Sequence, residues 1–315
     1  MSEPLLQVED LVVEYPASHK RVVHAVDGVS LTVAAGEFVA LVGESGCGKT
    51  TIAQSVMRMV RSTSGTVRYR DQDITNASQR EMRAVRREMQ IIFQDPYESL
   101  DPRFRVKNTV VEPLQIHGVT DHRDQRVRVA LERAGLTPAE LYLDRYPHEL
   151  SGGQRQRVAI AASLVLEPTL LLADEPVSML DVSVRAGILG LLDDLRGSGM
   201  GILMITHDLS TAAHYADRIC VMYLGRIVEE GPAYEVIHNP QHPYTRALVS
   251  VVPQPDPERT TTPQILQGET PNPTEIPSGC RFHPRCPLAE ARCKEEDQVL
   301  HPAGAEGQQA ACLLV

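Results

Sequence analysis

Gly43-Glu44-Ser45-Gly46-Cys47-Gly48-Lys49-Thr50 has the spacing G-x-x-x-x-G-K-[ST]. Glycines so placed let backbone N–H groups curl around phosphate oxygens, and a helix starting there adds its positive dipole end. Lys49 is the residue to reach β- and γ-phosphates, and Thr50 offers a hydroxyl to Mg²⁺. A chance glycine turn would lack the apolar run Phe38–Val42 before it and the helical pattern Lys49–Met59 after it. Leu170-Leu171-Leu172-Ala173-Asp174-Glu175-Pro176 complements it: an apolar strand delivers Asp174 toward the metal side of the phosphates. Glu175 follows where it could polarise an attacking water. Leu150-Ser151-Gly152-Gly153-Gln154 sets a hydroxyl and two glycines before an Arg-rich helix start, a second phosphate-shaped N-terminus. One loop already cradles the phosphates, so the second is expected to serve another subunit's nucleotide, with ATP sandwiched in a head-to-tail dimer.

The six cysteines divide by position. Cys47 fills a free position of the glycine loop, where backbone geometry matters more than the side chain. Cys220 lies in the apolar run Ile219–Met222 and is expected in the core. The other four, Cys280, Cys286, Cys293 and Cys312, follow C-x5-C-x6-C-x18-C. Zinc sites usually present thiolates in tight C-x2-C or C-x4-C pairs, which are missing here. Four thiolates match the ligand count of a [4Fe–4S] cluster; Zn²⁺ and unliganded or disulfide-bonded thiols remain alternatives. His283 and His301 each precede a proline and are left out as ligands. Arg281, Arg285 and Arg292 either offset thiolate charge or are simply solvated.

Several elements must carry these groups. Residues 4–42 read as three strands, and Leu170–Ala173 and Gly201–Ile205 as two more, with an apolar helical pattern over Ile188–Leu195. Strands alternating with helices argue for an α/β fold with a mostly parallel sheet. Residues 95–150 are polar, contain the amphipathic run Asp121–Ala134, and read as a helical insertion. Arg218–Tyr223 and Arg226–Glu230 flank Leu224-Gly225 as a hairpin. Seven prolines between 253 and 277 exclude a regular helix there. The expected division is an ATPase domain over 1–252 with a helical subdomain near 95–165, a Pro-rich linker over 253–279, and a four-cysteine extension over 280–315.

Composition narrows the function classes. A formal net charge of -10 argues against a nucleic-acid binder, which usually needs a basic face. The start, MSEPLLQVED, lacks the basic and apolar regions of a secretory signal. Nowhere do about 18 apolar residues run together, so no membrane span is expected. Thiols in a chain without an export signal are expected to be reduced or metal-bound.

Taken in order, GESGCGKTT (43–51, closing on Thr51), Gln94, LSGGQ, LLLADEP, Ser178–Asp181 and His207 resemble the nucleotide-binding subunit of an ABC transporter. The resemblance spans residues 4 to about 252. It implies a P-loop ABC ATPase with a mixed sheet core and a helical subdomain insertion. It further implies that Thr50, Gln94 and Asp174 serve Mg²⁺, with Gln94 linking the metal to the membrane partner. Glu175 would be the general base, His207 would contact the γ-phosphate, Asp181 would belong to the loop facing the other subunit, and Tyr15 would stack on adenine. Phe93–Arg103, Asn239–Thr245 and Ser278–Cys286 are similar to the oligopeptide/dipeptide importer ATPases, whose tail cysteines are associated with a [4Fe–4S] cluster. Two departures touch the partner-facing surface and no phosphate ligand: Ala161-Ala162-Ser163-Leu164 where Ala-Arg-Ala-Leu is common, and Met179 where Ala is usual.

The implied partners are a second ABC ATPase, two integral membrane permease subunits and an extracytoplasmic substrate-binding protein, with this chain peripheral on the cytoplasmic face of the membrane. Asp95-Pro96-Tyr97 favours a paralogous second ATPase. Nickel, glutathione or another small solute is the alternative cargo. A soluble ABC ATPase acting on nucleic acid is the remote alternative.

Overall fold

The computed structural model describes residues 4–17, 21–95, 100–252, 264–266 and 268–315. Their contacts divide into a first unit (Met1–Leu5, Val33–Glu37, Asn76–Met204) and a second (Leu6–Thr32, Phe38–Thr75, Ile205–Val315).

The chain enters with β1 (Pro4–Pro16) and β2 (Val22–Ala34), followed by β3 (Phe38–Val42), whose five residues are all buried. A run that apolar has no solvent face and suits a strand covered on both sides. Helix α1 (Lys49–Val56) starts at Gly48, whose φ of 109° is open to glycine alone among the common residues. It stops short of the Met59 expected from the pattern, because Met57 caps it and Arg58 turns left-handed at φ 54°. Strands β4 (Ser64–Tyr69) and β5 (Gln72–Asp73) complete a sheet ordered β2-β1-β4-β5, with β1 and β4 antiparallel in the register Val8↔Val67.

The first unit opens with α2 (Gln79–Glu88), fixed by a capping box between Ser78 and Glu81, and runs straight into β6 (Met89–Ile92). The expected helical insertion is present as α3 (Val106–Ile116) and α4 (Arg123–Arg133), packed with α5 (Gly152–Leu164). Val110, Leu114, Val127, Leu131 and Val158 are buried in that bundle. Strand β7 (Leu170–Asp174) lies parallel to β6 with Met89 opposite Leu170. Helix α6 (Val182–Gly197) then leads to β8 (Gly201–Thr206), and the strand order in this unit is β8-β7-β6.

The return to the second unit passes α7 (Leu209–Tyr215) and forms the expected hairpin of β9 (Arg218–Tyr223) and β10 (Arg226–Pro232). Its two-residue turn has both Leu224 (φ 43°) and Gly225 (φ 84°) in the left-handed region, the geometry that matches hairpin twist. Helices α8 (Ala233–His238) and α9 (Pro243–Ser250) follow.

Two short strands end the chain, β11 (His301–Pro302) and β12 (Gln309–Ala310), giving the order β11-β12-β10-β9-β3. Only β3 and β9 are parallel there; the pairs farther out are antiparallel, so the sheet is mixed. The cysteine-bearing tail is thereby woven into the edge of the second unit's sheet. Glu229, fully buried on β10, fastens it: its carboxylate accepts N–H bonds from Gln241 and His242 (2.8 Å each) and from Gln308 Nε2 (2.9 Å). Four of the seven expected helix-breaking prolines (253, 255, 257 and 263) lie outside the described residues, as do Pro96 and Tyr97. Residues 264–266 and 268–279 form no helix or strand.

Candidate functional site

The glycine loop leaves β3 at Val42 and closes on α1 in the second unit. Lys49 is buried, and its ammonium donates to the Gly43 carbonyl at 2.7 Å and the Glu44 carbonyl at 2.9 Å. The lysine thus sits over its own loop, held by bonds that a phosphate oxygen can replace. Gly43 is required sterically, and Gly48 both sterically and by its φ. A Cβ at Gly43 would run into the Met222 carbonyl, and one at Gly48 into the Ala25 carbonyl. Cys47 holds the loop through its backbone, and its side chain is packed as well. Its side chain is buried, its carbonyl accepts the Gly225 N–H at 2.9 Å, and its sulfur lies 3.7 Å from Lys49 Nζ. Burial pushes the thiol above its ordinary value despite the lysine, so it is neutral at pH 7. Ser45, Gly46 and Thr51 lie on the same loop-and-helix turn, with Thr50 exposed at the helix start. Tyr15, half-buried near the end of β1, and His207, exposed directly after β8, belong to this unit too.

The remaining nucleotide-site candidates belong to the first unit. Gln94 is exposed just past β6. Asp174 is the buried last residue of β7. Glu175 follows with φ 47°, a left-handed conformation uncommon for glutamate, and its carbonyl accepts from Ser178 N and Ser178 Oγ at 3.2 Å each. Ser151 is the N-cap of α5. Its hydroxyl accepts the Gln154 N–H at 3.3 Å while Gln154 Oε1 accepts the Ser151 N–H at 3.0 Å, a reciprocal capping box. Gly152 lies beside Leu180, and a side chain at Gly153 would meet Val184, so this helix start packs on the loop and helix that carry Asp181. Asp181 is itself the N-cap residue of α6. Met179 and Val182 beside it are 61% and 80% exposed, an apolar pair presented outward.

The four tail cysteines converge. Cys280, Cys286, Cys293 and Cys312, with His242 and Phe282, line one cavity of about 10 Å³, room for about one water. Backbone N–H groups of Phe282, Leu288 and Leu314 point at the sulfurs of Cys280, Cys286 and Cys312. Burial, together with the neighbouring thiols, pushes Cys280 up to about 11. All six cysteines are free, which removes the disulfide alternative. Among the described residues no three His, Cys, Asp or Glu side chains are disposed to hold a metal ion. The donor count and the convergence are those a metal group needs, although among the described residues the thiols as they stand do not form a ligating set. Two of the three arginines serve elsewhere: Arg281 bonds Asp27 and the Leu224 carbonyl, and Arg285 bonds Glu44. Arg292 is exposed beside Glu290.

Residues 26–178 match the family described as ABC transporter, and residues 228–293 match the oligopeptide/dipeptide transporter, C-terminal region. A probable peptide ABC transporter ATP-binding protein, y4tS of Sinorhizobium fredii, is 47% identical, across 99% of this chain and 90% of its own length. This chain belongs to the ATP-binding subunits of ABC transporters. The oligopeptide transport ATP-binding protein OppF of Escherichia coli is 43% identical over 99% of this chain and 96% of its own. A solved dimer of the ATP-binding cassette MJ0796, bound to ADP and Pi, is 29% identical with a TM-score of 0.66, covering 72% of this chain and 98% of that one. The cbiO1 cassette of Clostridium perfringens is 32% identical with the same TM-score, covering 76% and 92%. As an ABC ATPase, the chain hydrolyses ATP. Its departures from the usual motif, Met179 and Ala161–Leu164, lie in the Asp181 loop and on α5, both in the first unit.

The spacing of the motifs gave no hint of the residues that hold the phosphate loop from outside: Tyr244 on α9, and Thr270 and Arg285 in the tail. They lie about 200 residues or more from Glu44, and no local pattern could have signalled them.

Proposed function

We propose that this chain is the ATP-hydrolysing subunit of a membrane importer of oligopeptides or dipeptides. The observation that carries the reading is the second family match, over 228–293, in a chain whose relatives along nearly its full length are named as peptide-transport ATP-binding proteins. In phosphoryl transfer the protein mainly positions and neutralises. Residues 43–51 cradle the phosphates, Lys49 meets the β- and γ-phosphates, and Thr50, Asp174 and Gln94 serve Mg²⁺. Glu175 takes the proton of the attacking water, His207 contacts the γ-phosphate, and Tyr15 stacks on adenine. Ser151–Gln154 and Asp181 act on the nucleotide held by a second ABC ATPase.

The other partners are two permease subunits and an extracytoplasmic binding protein, with this subunit peripheral on the cytoplasmic face of the membrane. No helix among the described residues is long and apolar enough to cross a membrane, which is consistent with membrane contact through partners. The test is purification from membranes followed by turnover measurements in reconstituted vesicles. Co-purifying integral membrane subunits and turnover stimulated by peptide are expected. Stimulation by nickel or glutathione instead would replace the cargo, and co-purification with RNA or DNA would overturn the reading.

The domain division, an ATPase over 1–252, a linker over 253–279 and an extension over 280–315, belongs to the same proposal, as does a [4Fe–4S] cluster in the extension. What supports the cluster is the convergence of four thiols on one cavity with N–H donors at three sulfurs. Bound there, the group would cross-link a tail poor in apolar residues. Anaerobic purification of the complex is expected to yield about four irons and four sulfides per chain with a brown absorption band. A colourless protein without iron would remove it, and stoichiometric zinc would replace it.

A further inference from the structure

Glu44 is an acidic residue in the middle of a loop that has to hold a polyanion. Its carboxylate lies in the field of Lys49, the loop's own phosphate-binding cation. Left alone, it would repel the nucleotide and compete for that lysine. The tail takes it away. Arg285 grips Glu44 with a two-pronged guanidinium, Nη1 to Oε2 at 2.8 Å and Nη2 to Oε1 at 3.1 Å. Thr270 Oγ1 donates to the same Oε2 at 2.6 Å and accepts from Arg285 Nη1 at 3.3 Å. The arginine side chain is 9% exposed, so the pair is largely shielded from solvent, where a planar fork is strong and specific. Burial alone would raise the Glu44 carboxyl, but the Arg285 and Thr270 bonds more than offset it and keep the group ionised.

The same edge of the loop is tied down once more, by a side chain that itself packs on the tail. The hydroxyl of Tyr244 accepts the Glu44 N–H at 3.1 Å, and the Tyr244 ring packs against Phe282 of the tail, with centroids 5.4 Å apart. All of these groups lie in the second unit.

We propose that Arg285, seconded by Thr270, is a positioning residue for ATP: it neutralises and anchors Glu44, leaving Lys49 and the loop N–H groups free for the phosphates. The tail is then a working part of the nucleotide site in its own chain. This rests on residues 43–50 being the nucleotide loop, which Lys49→Ala tests separately: unchanged Mg–ATP binding in that variant would remove the site and the proposal with it.

Mg–ATP binding and steady-state kinetics of the full chain read the proposal. Arg285→Met is expected to weaken binding about tenfold and raise the KM for ATP alike, with kcat held within about twofold. Adding Glu44→Gln removes the charge that Arg285 answers. In that background, Arg285→Met is expected to change affinity by less than about twofold. An Arg285→Met protein that binds ATP normally overturns the proposal. So does one whose weakened binding persists undiminished in the Glu44→Gln background, the signature of a tail that merely fails to fold. Should Arg285→Met be insoluble, Thr270→Val answers the same question: about threefold weaker binding supports the proposal, and unchanged binding overturns it.

Discussion

Glu175 follows a strand whose every residue is buried, yet it takes a left-handed backbone that glutamate seldom adopts. Such a conformation costs about 1 kcal/mol or more and persists only where neighbours fix it. Here the two Ser178 bonds to the Glu175 carbonyl do so, which stops the strand abruptly after Asp174 and re-aims the next side chain. That turns two carboxylates adjacent in sequence in different directions, as the proposed roles of Asp174 at the metal and Glu175 at the water require. Glu175→Gln preserves size and backbone while removing the proton acceptor. Turnover is expected to fall by about 100-fold or more with the Kd for Mg–ATP within a fewfold of the native value. Steady-state assays beside equilibrium titration check it, and unchanged turnover would reassign the base.

At the scale of elements, the hairpin β9–β10 is the hub of the second unit. Its turn is fastened to the glycine loop by Gly225 N–H to Cys47 O (2.9 Å) and to β2 by Asp27 N–H to Gly225 O (2.9 Å). Asp27 also receives Arg226 at 3.0 Å and the buried guanidinium of Arg281 from the tail. Burial alone would raise the Asp27 carboxyl, but the two arginines more than offset it and hold it below its ordinary 3.8. A carboxyl depressed by folding contributes stability fully above its unfolded value, lost as pH falls through the lower folded one. The tail is therefore expected to loosen below about pH 4. Asp27→Asn, which leaves Arg281 buried without its counter-charge, is expected to loosen it already at pH 7, by about 3 kcal/mol. Hydrogen exchange across 280–297 reads both, and equal protection in the variant at pH 7 would refute the link.

The hairpin itself was legible, since two β-branched runs around Leu224-Gly225 leave little choice, as were the apolar strands β7 and β8. Strands β4 and β6 and helix α2 were not. The helix has only Met82 and Val85 buried, too thin an apolar stripe to show a period, and β6 follows it without a break. The weaving of residues 301–310 into the β10 edge was invisible because strands of two residues carry no pattern. The site divided the same way: motifs contiguous in sequence were readable, whereas the Glu44–Arg285 clamp joins residues 241 positions apart.

At the scale of the whole molecule, the first unit supplies a capped helix start at Ser151 and outward-facing Met179 and Val182, while the second supplies the phosphate loop. In the proposed head-to-tail pair each nucleotide takes the phosphate loop of one chain and the Ser151 helix of the other. Lesions can then be sorted by site. Lys49→Ala in this chain strikes the nucleotide on its own loop. Gly153→Asp strikes the partner's nucleotide, because a side chain there meets Val184 and an acid is added where phosphate should dock. Both lesions in this chain are expected to empty both sites of the assembled transporter. Lys49→Ala here, combined with the equivalent helix-start lesion in the partner, concentrates both defects in one site and leaves one ATP bound. Labelled ATP trapped per dimer under non-hydrolysing conditions distinguishes the arrangements: about zero against about one for trans sharing. The reverse order, one ATP for the double variant of this chain and none for the split pair, would mean that each chain completes its own site.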